Sequence, residues 1–347
     1  MSLNAANSPP GANVSIESVL GVQQQTLLQR MLGAQSFWVT IALLLICAVM
    51  SFLQPASFAT PENFYNITRN FSFIGIMALG MTAVIATGGI DLSVGSIMGL
   101  VAVASGLMLE GGYPWWAAVL VGLGAGFLVG LINGLIIAYL DLSPFVTTLG
   151  MLAIARSVAV VLSGNRMIYK FGPGGPGFKI LGGGEWKIGE TFSLSYPLLF
   201  LIVLTAVLAV VYKMTGWGRH VLAIGGNEQA ALLTGVPVKR VKVQVYIVSG
   251  LAAAFAAILN VGWSGSAINA LGTSYELLAI SAAVIGGANL MGGEASAYGA
   301  FIGAALIFVI RNSLLMAGVD SNWQGTFVGL FLIAAVYLGK IRGARRE

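Results

Sequence analysis

An all-α integral membrane protein of about ten transmembrane helices is the fold this sequence predicts, and three observations predict it. Only 8% of the 347 residues are charged and 57% are hydrophobic, against about 25% charged in soluble domains; mean hydropathy is +0.90. Apolar stretches recur along the chain at close to the roughly 20 residues that a bilayer-crossing helix needs, while long alternating strands of the barrel type are missing. Finally, the stretch Gly88-Gly89-Ile90-Asp91-Leu92-Ser93-Val94-Gly95, set between two apolar runs, returns in weaker form as Gly286-Gly287-Ala288-Asn289-Leu290-Met291-Gly292-Gly293. The offset is 286 − 88 = 198 residues. A membrane chain that twice stops at a glycine–polar knot points to two related halves around a shared path.

Taken in order, residues 1–35 form a polar tail whose only charges are Glu17 and Arg30. It does not begin with the charged start and short apolar run of a signal peptide. It reads as unstructured, or as helical near Glu17–Leu32. The transmembrane domain is residues 36–340, with spans expected at Ser36–Leu53, Ile67–Thr87, Ser96–Leu109, Trp115–Leu140, Phe145–Ser163, Phe192–Tyr212, Val243–Trp263, Leu277–Leu290, Ala297–Ala317 and Phe327–Leu338. Residues 341–347 are a basic tail. With the start placed inside, ten Lys and Arg fall on the inner side (Arg30, Lys213, Arg219, Lys239, Arg240, Lys242, Lys340, Arg342, Arg345, Arg346). Five fall outside (Arg69, Arg166, Lys170, Lys179, Lys187), and Arg156 and Arg311 lie in spans. This excess predicts that both termini are cytoplasmic. The external loop 164–191 is long enough to touch an outside partner, or is a passive linker.

The net charge of +5 is thus a matter of orientation and gives no ground for a nucleic-acid partner. Cys47 and His220 are the single residues of their kinds, which excludes disulfides within the chain and clustered Cys or His metal ligands. No phosphate-binding loop of the form G-x-x-x-x-G-K-[ST] occurs; the Gly-Lys pair is Gly339-Lys340, followed by Ile341. No nucleophile motif with a plausible triad occurs either. The chain is therefore read as a non-enzyme without metal or cofactor of its own, and any nucleotide energy must arrive through a partner.

Two features carry function. The first is a set of groups that are costly inside a bilayer, about 2.5–3.5 kcal/mol for a central Arg on insertion scales: Asp91, Arg156, Glu276, Glu294 and Arg311. Asp91 either caps a helix that starts at the glycine break or faces a watery path; Arg156 and Arg311 either snorkel or line that path. A sugar-like solute calls for Asn, Ser, Thr and aromatic contacts, so the candidate path residues are Asn133, Phe145, Thr147, Thr148, Asn260 and Asn312. The glycines Gly122, Gly126, Gly130 and Gly134, at i, i+4 steps, form one bare helix face for a tightly packed partner helix.

The second feature is the inner loop 216–242. Asn227 is placed to cap a short helix over Glu228–Thr234, with Gly235 and Pro237 stopping it. Its apolar residues are too few to cross a membrane. The helix either docks in a groove of another protein or lies on the membrane surface. The competing function at this level is an ion-coupled secondary transporter of a small polar solute, for which Asp91 is the one tempting acid.

Five segments, in order, resemble one family: Gly88–Gly95, Gly130-Leu131-Ile132-Asn133-Gly134, Pro144-Phe145-Val146-Thr147-Thr148-Leu149-Gly150, Ala223-Ile224-Gly225-Gly226-Asn227-Glu228-Gln229-Ala230-Ala231, and Gly286–Gly293. Over about residues 36–340 the chain resembles the permease subunits of bacterial ribose/xylose/arabinose/galactoside ABC importers. The resemblance implies ten helices in two repeated halves, similar to cobalamin-type importers, in the bacterial inner membrane. It implies a second permease copy or a paralogue as partner, a periplasmic sugar-binding protein outside, and an ABC ATPase, usually of tandem domains, that binds ATP and Mg inside. It places the coupling to that ATPase on Asn227, Glu228, Ala230, Ala231, Thr234 and Gly235. It makes Gly88, Gly89, Asp91, Ser93, Gly95, Gly286, Gly287, Asn289 and Gly293 the motif of the two helix breaks. The sequence departs from the expected pattern at Glu294 and in its long first tail.

Overall fold

The computed structural model describes residues 32–323, 325–327, 329, 330 and 333. In chain order its elements are α1 (Gln35–Leu53), α2 (Pro61–Ala86), α3 (Val94–Glu110), α4 (Trp115–Tyr139), α5 (Pro144–Ser163), α6 (Gly175–Gly183), the hairpin strands β1 (Glu185–Ile188) and β2 (Phe192–Ser195), α7 (Tyr196–Met214), α8 (Gly216–Gly226), α9 (Glu228–Leu233), α10 (Val238–Ser264), α11 (Tyr275–Ile285) and α12 (Ala297–Met316). Among the described residues seven helices are long and apolar enough to cross a membrane: α1, α2, α4, α5, α7, α10 and α12. The apolar helices α3 and α11 are shorter. The expected helix at Glu17–Leu32 and the expected span Phe327–Leu338 fall largely outside the described residues.

The centre is α2 and α10. Ile74, Met77, Met81 and Ile85 of α2 and Tyr246 and Leu259 of α10 are sealed from the surface. Close approach of backbones is what holds helices together where lipid is as apolar as leucine. The bare face of α4 supplies it: Gly126 lies against Gly250 and Ala254, Gly130 against Tyr246 and Ile247, and Gly134 against Val243, so the partner helix is α10. On a smaller scale Gly299 and Gly303 of α12 meet Gly286 and Ala282.

Four expected boundaries move, one of them the start of α10, which lies at Val238 rather than Val243 and so takes in the end of the expected loop 216–242. The helix expected from Ile67 starts at Pro61, because the Thr60 hydroxyl accepts from Asn63 N (3.1 Å) and Pro61 takes the first position; the polar turn that follows hid this start. The span expected from Phe192 starts at Tyr196, since Phe192–Ser195 pairs with Glu185–Ile188 in an antiparallel hairpin. The helix expected to reach Leu290 ends at Ile285, where positive φ angles at Gly287, Gly292 and Gly293 turn the chain away. The segment 164–191 is packed on the body rather than a free linker. Its α6 buries Phe178 completely and seats Gly182 on the backbone of Leu259 in α10.

The α4–α10 seam gives a paired test. Gly126→Leu forces a side chain into the backbone of Gly250 and should destabilise by about 1–3 kcal/mol. Gly124→Ala meets open space and should be neutral or slightly stabilising. Thermal unfolding of the detergent-solubilised protein separates the two.

Candidate functional site

The two glycine knots meet. α2 ends at Ala86 and the chain turns at Gly88, whose φ is +77°. A helix end leaves carbonyls without intrahelical partners. That of Ala86 is taken by the amide of Gly293, from the second knot, at 3.0 Å. Gly225, near the end of α8, packs its α-carbon against both Ala86 O and Gly293 N, and Gly292 packs against Gly225 and Gly88. Three segments far apart in sequence thus touch backbone to backbone, and the next residues of the third are the start of α9.

The knots share local geometry as well as sequence. Asp91 Oδ1 accepts from the amide of Ser93 two residues on (3.0 Å), and Asn289 Oδ1 accepts from the amide of Met291 two residues on (3.0 Å). These are the same side-chain turn at positions 198 residues apart in both members. Their surroundings differ. Asp91 is fully buried, whereas Asn289 is exposed. Asp91 Oδ1 also accepts from the Ser93 hydroxyl (2.6 Å) and Oδ2 from the Ser249 hydroxyl (2.8 Å), while Asn133 Nδ2 donates to Ser93 Oγ (2.9 Å). Asp91 therefore ties the first break to α4 and α10. Of the two readings open from sequence, the structural one fits this enclosure.

Several candidate path residues are occupied in the same way. Thr148 accepts from Leu92 N (3.1 Å) and donates to Pro144 O (2.8 Å), which pins the start of α5 to the break. Asn133 belongs to the Asp91 network. Asn312 exchanges two side-chain amide hydrogen bonds with Asn63 (2.9 and 3.2 Å), clamping the last turns of α12 to the first turn of α2. Thr147 and Asn260 are buried, the Thr147 hydroxyl without a hydrogen-bond partner among the described residues, and Phe145 is exposed. The structure does not bring these six together. Of the intramembrane ions, Glu294 is exposed beside the junction, and Arg311 lies 5.4 Å over the Phe308 ring. Arg156 and Glu276 lie on a common strip of α3.

In the segment 216–242, Asn227 Oδ1 accepts from Ala230 N (2.9 Å) and opens α9, and Gly235 closes it at φ +84°. Glu228 pairs with Lys242 of α10 at 2.7 Å. Ala231 is buried against the body, but Leu232 and Leu233 are 64% and 88% exposed. Gly225 lay within a recognised motif segment but without a role of its own, and Tyr246 and Ser249, also part of these contacts, had no signal beyond being aromatic or small residues on an apolar stretch.

The family model described as branched-chain amino acid transport system / permease component matches residues 63–336. The galactose/methyl galactoside import permease protein MglC of Escherichia coli K12 is 35% identical over 88% of this chain and 94% of its own. The ribose import permease protein RbsC of Bacillus subtilis is 36% identical over 88% and 92%. The autoinducer 2 import system permease protein LsrD of Escherichia coli O9:H4 is 37% identical over 78% and 81%. No solved structure matches.

The Asp91 network predicts a graded loss. Asp91→Ala strands three buried donors and should cost about 3 kcal/mol or more, whereas Ser249→Ala removes one bond and should cost about 1–2 kcal/mol. Melting temperatures in detergent, with the order of the two variants as the criterion, check this.

Proposed function

This chain belongs to the branched-chain amino acid transport system / permease component family, and from that premise we propose that it is the membrane subunit of a binding-protein-dependent ABC importer for a monosaccharide or related polyol. The near full-length likeness to permeases of galactose and ribose import carries this reading. The chain supplies the path, and ATP and Mg are bound by a separate ATPase, of tandem-domain type. Two copies of the chain, in the bacterial inner membrane with both termini in the cytoplasm, enclose the path in two repeated halves per copy. A periplasmic sugar-binding protein delivers the solute. Access alternates between the two sides as the ATPase opens and closes.

The coupling element in this reading is Asn227–Gly235. A capped helix with Leu232 and Leu233 outward is the shape that fills a groove on a partner. Its neighbour Gly225 sits on both helix breaks, so a push on α9 reaches the ends of α2 and α11 through backbone contacts rather than through flexible side chains.

Uptake of ribose or galactose into proteoliposomes carrying the whole importer should persist with ATP supplied and proton and sodium gradients collapsed. Its loss under those conditions would favour ion coupling and overturn the reading. Within that assay Glu228→Lys breaks the pair with Lys242, and Gly235→Pro imposes a φ near −65° where +84° is needed. Each should lower uptake about tenfold or more and abolish stimulation of the ATPase by the loaded binding protein, with the protein still inserted at normal levels.

A further inference from the structure

In the importer reading residues 265–285 form a crossing that is helical over only half its depth. The 11 residues of α11 rise about 16 Å, half of the roughly 30 Å hydrocarbon layer. The other half is irregular chain, 265–274. It runs beside α3 from the level of Gly106, which touches Ala267, to that of Gly95, which touches Gly272. The guanidinium of Arg156, from α5, holds it there by donating to the carbonyls of Asn269 and Leu271 (the latter at 3.0 Å), and also to Gly95 O at 3.2 Å.

Glu276, in the first turn of α11, lies on the same strip. A methyl at Gly95 would strike Glu276 Oε2, and one at Gly99 would strike Arg156 Nη1. Two glycines one turn apart thus bare the α3 backbone so that a cation and a carboxylate lie side by side on it. No ion pair joins them among the described residues. Both are half-buried, and Ser157 and Thr273, next in the chain or nearly so, are exposed. Irregular backbone at membrane depth is tolerated only inside protein or against water, and charged side chains there face the same places. This face therefore does not meet lipid.

Arg156 has five N–H donors and spends three on carbonyls, so donors remain. Glu276 offers acceptors, and the pair carries no net charge. Neighbouring donors and acceptors of zero net charge suit a neutral solute bearing adjacent hydroxyls. We propose that Arg156 and Glu276 form a contact site for an uncharged, hydroxyl-rich solute as it crosses the membrane, Arg156 donating and Glu276 accepting. The inference rests on the importer reading above.

The test uses the whole importer in proteoliposomes, with D-ribose and D-galactose as probes. Glu276→Gln, close in size and shape, should lower the sugar moved per ATP hydrolysed about tenfold. Stimulation of the ATPase by the loaded binding protein should stay within twofold of wild type. Glu276→Asp should regain part of the loss, and Arg156→Lys, which cannot hold three carbonyls and a solute, should behave like Glu276→Gln. Unchanged uptake in Glu276→Gln and Arg156→Lys overturns the site, and so does a parallel fall of uptake and ATPase stimulation, which would make the pair scaffold. Wild-type vesicles that move neither sugar overturn the importer reading and this site with it; wild-type uptake with unaffected variants overturns the site alone.

Discussion

The hydrogen bond from Gly293 N to Ala86 O is short in reach and wide in consequence. It satisfies a carbonyl that the end of α2 leaves open, and it does so with an amide from the other glycine knot. For the two backbones to come this close, the third segment wedged against them must also lack side chains, and Gly225 does. A β-carbon there would meet Ala86 O and Gly293 N at once, whereas its neighbour Gly226 faces open space. The requirement for glycine is thus imposed by a three-way meeting of backbones. Positive φ demands it separately at Gly88, Gly292 and Gly293.

Polar side chains in this membrane domain mostly hold breaks and ends rather than line a path. An unsatisfied polar group in hydrocarbon is so costly that each irregular stretch draws polar partners to itself. Asp91, Ser93, Asn133, Thr148 and Ser249 are gathered around the first break, and Asn63 and Asn312 where α2 begins and α12 nears its end. A list of polar residues at membrane depth is therefore first a map of where helices stop. After this subtraction Arg156 and Glu276 keep bonding capacity that the scaffold leaves partly unused, as do the buried Asn133 Oδ1 and Thr147 Oγ1.

This explains what was legible in the sequence and what was not. Composition fixed the class, and the i, i+4 glycines of α4 announced a packed seam, because both are properties of the chain itself. The α9 cap was legible too, since Asn227, Gly235 and Pro237 act on their own neighbours. The irregular chain before α11 was not. Its residues, Gly265-Ser266-Ala267-Ile268-Asn269-Ala270-Leu271-Gly272-Thr273-Ser274, fall between two expected spans, and only their contacts show that they run along α3. Which face of each helix looks inward was hidden for a related reason. Lipid and protein core are both apolar, so burial leaves little periodic contrast to read.

Gly95 links the two parts of the molecule. It closes the first knot in sequence, yet its φ is ordinary and it turns nothing; it sits in the first turn of α3, below Gly99. What its missing side chain provides is room for the Glu276 carboxylate, and its carbonyl is the third acceptor of Arg156. Four residues earlier in the same chain, Asp91 anchors the break, and three before that Gly88 lies against Gly292 of the backbone junction. A displacement of the break cannot leave Gly95 behind, because α3 is continuous from Val94 onward. The knot thus joins the Arg156–Glu276 strip at one end to the backbone junction with Gly225 and Gly292 at the other, and its last glycine belongs to the strip.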